Sequence, residues 1–324
     1  MFTMGWSKDR GWHSPTIKPY GLLLLDPACC FYHYAQGVFE GLKAYRTKSG
    51  QVQMFRPRDN ARRLNTSLER MCMPELPEEM FMESLCELLK VEKRWVPDAE
   101  GASLYIRPTV IATDTTLSVH PSEEYLYYVI LSPVGPYFSE GFNPVGLCVS
   151  EDHVRGAAGG TGEAKTGGNY AGSLLASRMA HQKGYNQVLW LDAKERRYVE
   201  EVGAMNIFFV IDGKLVTPKL SGSILPGITR KSVIQIAPGL GIEVEERPVT
   251  IDEVIDGVKN RRLSECFGAG TAAVISPVGK INHRGQEHII GSQAGPWARR
   301  LSETINGIQR GSIPDKHGWV HVVV

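Results

Sequence analysis

The stretch Pro133–Pro144, PVGPYFSEGFNP, constrains this chain most: three prolines with glycines between them leave no run long enough for a regular element. At 324 residues the chain exceeds the size at which a single core usually keeps growing, so the break reads as a domain boundary. The expectation is a small N-terminal α+β domain over 1–135, an interdomain linker over 136–144 and a larger C-terminal domain over 145–324.

On either side of the break the patterning changes repeatedly between period two and period 3.6. Leu22–Leu25 is an apolar run closed by Asp26 and Pro27 and reads as a buried strand; Gly50–Phe55, Ala102–Ile111, Tyr125–Ser132, Val145–Ser150 and Gln187–Asp192 read as further strands. Ala61, Leu64, Leu68 and Met71 recur at helical spacing behind Asp59 as N-cap, and Glu78–Lys93 repeats the pattern with Phe81, Leu85, Leu88 and Leu89. A further helix is expected over Gly172–Lys183, stopped by Gly184. Asp212-Gly213 between two apolar runs is a strong hairpin signal. Leu225-Pro226-Gly227 introduces a helix from about Ile228 to Ile236, and Thr250 with Glu253 has capping-box spacing. Strands with interspersed helices and hairpins, rather than regular βαβ alternation, give the class as α+β.

Composition narrows the function by exclusion. With a formal charge of +1 and 22% charged residues there is no net pull toward nucleic acid or acidic membranes. No apolar run reaches the length of a membrane span, and the first residues lack the pattern of a secretory signal. Six scattered cysteines, without C-x-x-C or metal-ligand spacing, fit free thiols in a reducing cytoplasm and no metal site.

Chemistry concentrates at Gly159–Leu174, GGTGEAKTGGNYAGSL, where Lys165 is the single cation among six glycines. A P-loop is ruled out because Ala164 occupies the position where the motif needs glycine. Gly268, Gly270 and Ala273 match G-x-G-x-x-A, but too little chain follows to build a dinucleotide fold. A lysine-linked pyridoxal phosphate asks for a lysine, an acid for the pyridine nitrogen, a phosphate cradle and a partner for the ring hydroxyl. Glu200 and Glu201 in VEEVGAMN are candidates for the acid, with an exposed strand end as the bland alternative. The helix start at Gly227, Ile228 and Thr229 offers unpaired N–H groups to an anion. Gly270, Thr271 and Ala272 offer a second backbone nest.

Taken in order, HYAQGVFEGLKAYR, FRPRDNARRL, SLYIRP, KTGGNY, EEVGAMN, LPGITR and FGAGTAA resemble the branched-chain amino acid aminotransferases of the fold type IV pyridoxal phosphate (PLP) group, nearly end to end. The resemblance implies a two-domain fold type IV PLP enzyme, similar to D-amino acid aminotransferase in fold, with the cofactor in the interdomain cleft. It implies that Lys165 carries the Schiff base, Tyr170 meets the ring hydroxyl, and Glu201 rather than Glu200 meets the pyridine nitrogen. Arg63, Ile228, Thr229 and Thr271 would hold the phosphate; a solvated basic face with Arg62 and Arg70 is the plain alternative for Arg63. Tyr34, Phe39, Tyr105, Val119 and Tyr137 would surround the substrate side chain, with Val119 reaching a neighbouring subunit's site. Thr271 and Ala272 would bind the α-carboxylate, and Arg107 with Tyr34 the distal carboxylate of glutamate. The implied reaction is ping-pong amino transfer between L-leucine, L-isoleucine or L-valine and 2-oxoglutarate, by at least a homodimer. A D-amino acid aminotransferase or aminodeoxychorismate lyase is the nearest rival, opposed by the Y-I-R and GTA segments; a nucleotide-binding module is a remote one. Ala273 and Ser276 stand where some relatives carry a C-x-x-C pair, and Ala204 where some carry threonine.

Overall fold

A computed structural model describes residues 1–135 and 142–324. The chain divides into two compact units: one takes in Met1–Pro136, Ala164–Gly168 and Gly307–Val324, the other Tyr137–Glu163 and Asn169–Asn306. The segment holding Lys165 and the C-terminal end therefore sort with the N-terminal half.

The first unit begins with β1 (Phe2–Ser7) and β2 (Gly11–Ile17), followed by α1 (Cys30–Tyr34), β3 (Gly37–Phe39), β4 (Leu42–Arg46) and β5 (Val52–Phe55). Helices α2 (Pro57–Arg70) and α3 (Glu78–Glu92) come next, then the long strands β6 (Ser103–Ala112) and β7 (Glu124–Val134). All pairings here are antiparallel, with β6 central and β3 added beside it. Ala61, Leu64 and Leu68 of α2 and Phe81, Leu85, Leu88 and Leu89 of α3 pack into one core with the inward residues of the sheet.

Three expectations are corrected in this unit. Leu22–Leu25 forms no strand; Leu22 and Leu24 are 92% and 96% exposed. An apolar run without alternation carries no register, and Pro19 and Pro27 bracket it with residues that cannot donate to a ladder. Helix α2 starts at Pro57 behind Arg56, which takes a left-handed conformation (φ 54°), so Asp59 is not the N-cap; its carboxylate instead pairs with Arg56 Nε at 2.7 Å. Proline at the first helical position costs no hydrogen bond and moves the start forward. Strand β7 runs through Pro133 to Val134, inside the stretch read as free of regular structure. Pro133 pairs with Leu104 on the β6 side, while β1 ends its pairing at Val129, so the proline lies where the other edge needs no donor.

The second unit holds β8 (Val145–Val149), α4 (Gly167–Gln182) from Asn169 on, β9 (Gln187–Leu191), β10 (Val199–Val202), β11 (Met205–Ile211) and β12 (Lys214–Pro218). It continues with α5 (Ile228–Ile236), β13 (Val244–Arg247), α6 (Ile251–Lys259), β14 (Leu263–Gly270), β15 (Val274–His283), β16 (Gln286–Ile289) and α7 (Pro296–Gln309) as far as Asn306. The path β10-β9-β8-β15-β14-β11 returns to β10 through the β10–β11 pairing, closing a barrel. Its apolar residues include Leu147, Leu189, Ile207, Phe209 and Ile281. Pairs β8–β9, β8–β15 and β12–β13 are parallel and the rest antiparallel, the mixed pattern of an α+β fold. The D-G hairpin forms with Asp212 and Gly213 both at positive φ (50° and 76°), as a tight two-residue turn requires. Thr250 caps α6, its hydroxyl accepting from the Glu253 N–H at 3.1 Å. Helix α4 starts at Gly167 rather than Gly172, because glycines cost little at a helix entry where few intrahelical bonds are yet made.

The last strand, β17 (Val320–Val322), pairs antiparallel with β5 and completes the eight-stranded sheet of the first unit in the order β17-β5-β4-β6-β7-β1-β2, with β3 on β6. No helix among the described residues is long and apolar enough to cross a membrane.

Candidate active site

In the first unit the backbone around Lys165 is pinned from two sides. Its N–H donates to Ser67 Oγ of α2 at 2.9 Å, and its carbonyl accepts the Phe39 N–H of β3 at 3.0 Å. One residue on, Thr166 forms an antiparallel bridge with Val38 and its hydroxyl donates to the Gly37 carbonyl at 2.7 Å. Ala164 before it is buried. A lysine inside a glycine-rich run is thus held as rigidly as a strand residue, and its Nζ lies 4.9 Å from the centre of the Phe39 ring.

Arg107 Cζ lies 4.6 Å from the same ring and 5.2 Å from that of Tyr105, and Nη2 donates to the Tyr105 hydroxyl at 3.0 Å. Arg107 Nε is buried with no hydrogen-bond partner among the described residues. Gly41 makes this arrangement possible: a Cβ there would lie 2.0 Å from Tyr105 Oη. Tyr34, which the resemblance assigns with Arg107 to the distal carboxylate of glutamate, donates its hydroxyl to the Leu117 carbonyl. That loop carries Val119 at 81% exposure. Tyr137 lies outside the described residues.

Arg63 is buried at 8%, while its neighbour Arg62 is exposed, so the solvated-face alternative does not apply to it. Its Nε and Nη2 each donate to the Glu40 carboxylate at 2.8 Å. Glu40 is fully buried and also accepts from Asn60 Nδ2 at 2.7 Å and from the Gly41 N–H at 3.1 Å. Burial pushes this carboxyl upward, but the Arg63 charge and hydrogen bonds, with Lys165 and Asn60, outweigh it and hold the pKa below the ordinary carboxylate value. Sequence reasoning missed Glu40, because one acid in VFEG carries no signal until the strand brings it under α2.

In the second unit both acids of VEEVGAMN are buried, so the exposed strand end is ruled out. Glu201 Oε2 lies 2.6 Å from Arg155 Nε in a buried ion pair, and Glu201 Oε1 accepts from Asn206 Nδ2 at 3.2 Å. Arg155 Nη1 is fixed in turn by the carbonyls of Gly162 and Ser223, at 3.1 and 3.2 Å. Asn206 Nδ2 also donates to the Leu225 carbonyl at 2.9 Å, tying the acid to the turn that leads into α5. Arg155 and Asn206 receive no role from the sequence: Arg155 stands outside the recognised motifs, and Asn206, which closes EEVGAMN, gains its partner only when β10 and β11 pair. Glu200 accepts from Ser223 and, at 3.5 Å, from Ser221; burial raises its pKa.

Helix α5 begins behind Gly227 with no side-chain cap, so the N–H groups of its first turn are not taken up by a capping side chain, and Ile228 and Thr229 are buried there. Thr271 and Ala272 lie in the turn joining β14 to β15; Thr271 is half-buried and Ala272 exposed. The turn ends at Val274 with φ 62°, an unusual conformation for a β-branched residue. Gly268 and Gly270 belong to β14, which settles the G-x-G-x-x-A match as sheet rather than nucleotide loop. Tyr170 is half-buried in the first turns of α4. Among the described residues no group of His, Cys, Asp or Glu is placed to hold a metal ion.

Each unit carries groups of the kind a phosphorylated pyridine aldehyde calls for: the first a primary amine on a fixed backbone and a buried guanidinium, the second a helix start without a side-chain cap and a buried carboxylate.

Comparison with known proteins agrees. Residues 37–281 match the model of the amino-transferase class IV family. The chain is 51% identical to branched-chain-amino-acid aminotransferase 2 of Bacillus subtilis (strain 168) over 98% of its own length and 88% of that protein. It superposes on the branched-chain amino acid aminotransferase from Thermobaculum terrenum in its PLP-bound holo form at a TM-score of 0.80 and 27% identity, covering 100% of this chain and 98% of that one. The branched-chain aminotransferase from the thermophilic archaeon Thermoproteus uzoniensis, solved with norvaline, gives a TM-score of 0.77 at 27% identity, covering 100% of both chains.

Proposed function

The chain belongs to the class IV aminotransferase family, and we propose that it acts as a PLP-dependent branched-chain amino acid aminotransferase. The amino group passes between L-leucine, L-isoleucine or L-valine and 2-oxoglutarate, giving the branched 2-oxo acids and L-glutamate. The observation that carries this reading is Lys165, whose backbone is locked to α2 and β3 while its amine lies beside Phe39.

When bound, PLP supplies an aldehyde for the amino groups and a ring that accepts electrons from the substrate's Cα. Lys165 is proposed to anchor the aldehyde and, once displaced by the incoming amine, to take the Cα proton on Nζ. Glu201, fixed by Arg155 and Asn206, is proposed to hold the proton on the pyridine nitrogen, and Tyr170 to bond the ring hydroxyl. Arg63, Ile228, Thr229 and Thr271 are the proposed phosphate holders; Thr271 and Ala272 would also receive the α-carboxylate. Tyr34, Phe39, Tyr105, Val119 and Tyr137 are proposed to face the side chain. Arg107 is proposed to receive the distal carboxylate of glutamate, which its buried Nε, without a hydrogen-bond partner among the described residues, supports.

A homodimer is part of the proposal. Tyr20, Leu22, Leu24, Leu117 and Val119 are exposed large hydrophobic residues of the first unit, which supports cover by a second copy. The six free cysteines support a reducing, cytoplasmic setting.

A half-reaction screen tests the reading. Mixing the PLP form with each L- and D-amino acid should convert the aldehyde absorbance to that of the amine form for L-leucine, L-isoleucine, L-valine and L-glutamate. Conversion by D-amino acids alone would favour the D-specific rival.

A further inference from the structure

Glu40 has no place in the chemistry above, yet it is among the most firmly held side chains of the first unit. Its two oxygens take Arg63 Nε and Nη2, Asn60 Nδ2 and the N–H of Gly41, all between 2.7 and 3.1 Å, and the carboxylate is fully buried. Stability does not account for it, because a buried ion pair is commonly no better than apolar groups of the same volume. What the pair does secure is Arg63. A buried guanidinium without a counter-charge is strongly unfavourable, and Glu40 provides that charge from within the chain. Both bonds to Glu40 fall on the Nε–Nη2 side, so the carboxylate also fixes the plane of the Arg63 guanidinium.

We propose that Glu40 is a resident anion for Arg63, which carries the arginine's charge in the cofactor-free protein and sets how tightly a phosphate group is then held. The inference rests on Arg63 being a phosphate ligand. A carboxylate and a phosphate that share one guanidinium repel each other, so Glu40 weakens phosphate binding while keeping the empty site folded. PLP is consequently exchangeable rather than locked in, and the protein can fold before it meets its cofactor.

The test uses the full chain, loaded with PLP and after its removal, with inorganic phosphate as the probe. Glu40→Gln keeps the volume and an acceptor for Asn60 but removes the charge. Its dissociation constant for inorganic phosphate, read by calorimetry, should fall at least roughly tenfold below wild type, and its cofactor-free form should melt lower and recover more on adding phosphate. An equal or higher dissociation constant overturns the proposal and leaves Glu40 as a strut that orients Arg63. If the variant does not survive cofactor removal, the rate of PLP loss from the loaded form on dialysis decides: slower than wild type supports the proposal, equal or faster overturns it. Arg63→Gln separates the two levels. Unchanged phosphate binding by Arg63→Gln removes the phosphate role of Arg63, whereas borohydride trapping of PLP on Lys165 in wild type stands or fails independently.

Discussion

Replacing Gly41 by alanine tests how the substrate pocket is held. The new Cβ would lie 2.0 Å from Tyr105 Oη and 2.9 Å from Tyr105 Cζ, against roughly 3.4–4 Å for ordinary contact. The phenol must therefore withdraw by more than about 1 Å, which takes a 3.0 Å hydrogen bond to Arg107 Nη2 out of range. Losing a bond to a charged group costs about 1.5–3 kcal/mol. At about 1.4 kcal/mol per factor of ten, that is roughly ten- to a hundredfold in kcat/KM for L-glutamate and 2-oxoglutarate, whose distal carboxylate is proposed to meet Arg107. L-Leucine places no charge there and should lose less than about threefold. Because a tyrosine tip can swing aside, the melting temperature should move little. Steady-state kcat/KM for both donors, with a thermal melt, checks this. Equal losses for glutamate and leucine, or no loss for either, refute the idea that Tyr105 holds Arg107 for a distal carboxylate.

Other substitutions probe the remaining parts. Lys165→Ala should abolish steady-state transamination, and appreciable turnover would move the role to another group. Glu201→Gln should lower kcat severely, and because it strands Arg155 it should also cost about 3–5 kcal/mol in a denaturant titration; near-normal rates would reassign the pyridine partner. Glu200 has a raised pKa in the folded protein, so its contribution to stability is fully present below the ordinary carboxylate range and is lost as pH rises through the folded value. Glu200→Gln should therefore melt no lower than wild type at neutral pH and should lose its advantage in acid; a variant less stable at every pH contradicts this. Thr250→Ala should cost about 1 kcal/mol through the lost cap of α6, with unchanged kinetics.

Features written in local chemistry were legible in the sequence. Asp212-Gly213 demands two positive φ angles and the chain turns there; Thr250 three residues before Glu253 caps its helix; Leu225-Pro226-Gly227 releases α5 at Ile228. Lys165 and Glu201 stand out because their neighbours form recognisable motifs. What escapes a sequence reading depends on partners distant along the chain. Leu22–Leu25 looks like core until the sheet leaves it unpaired, and Pro133 looks like a breaker until the neighbouring strand is seen to end at Val129. Glu40 and Arg155 matter only through the ion pairs that they make with Arg63 and Glu201, which lie 23 residues apart for the first pair and are joined across separate elements in the second. Arg107 is legible as a cation in Y-I-R, but its hydrogen bond to Tyr105 comes from tertiary packing.

That Lys165 bears the cofactor is the claim on which the rest depends, and borohydride reduction of the purified PLP-loaded protein followed by peptide mass mapping tests it most directly. The expected result is a single phosphopyridoxyl adduct on the peptide containing Lys165, lost in Lys165→Ala. No adduct, or one on a different lysine, would contradict it.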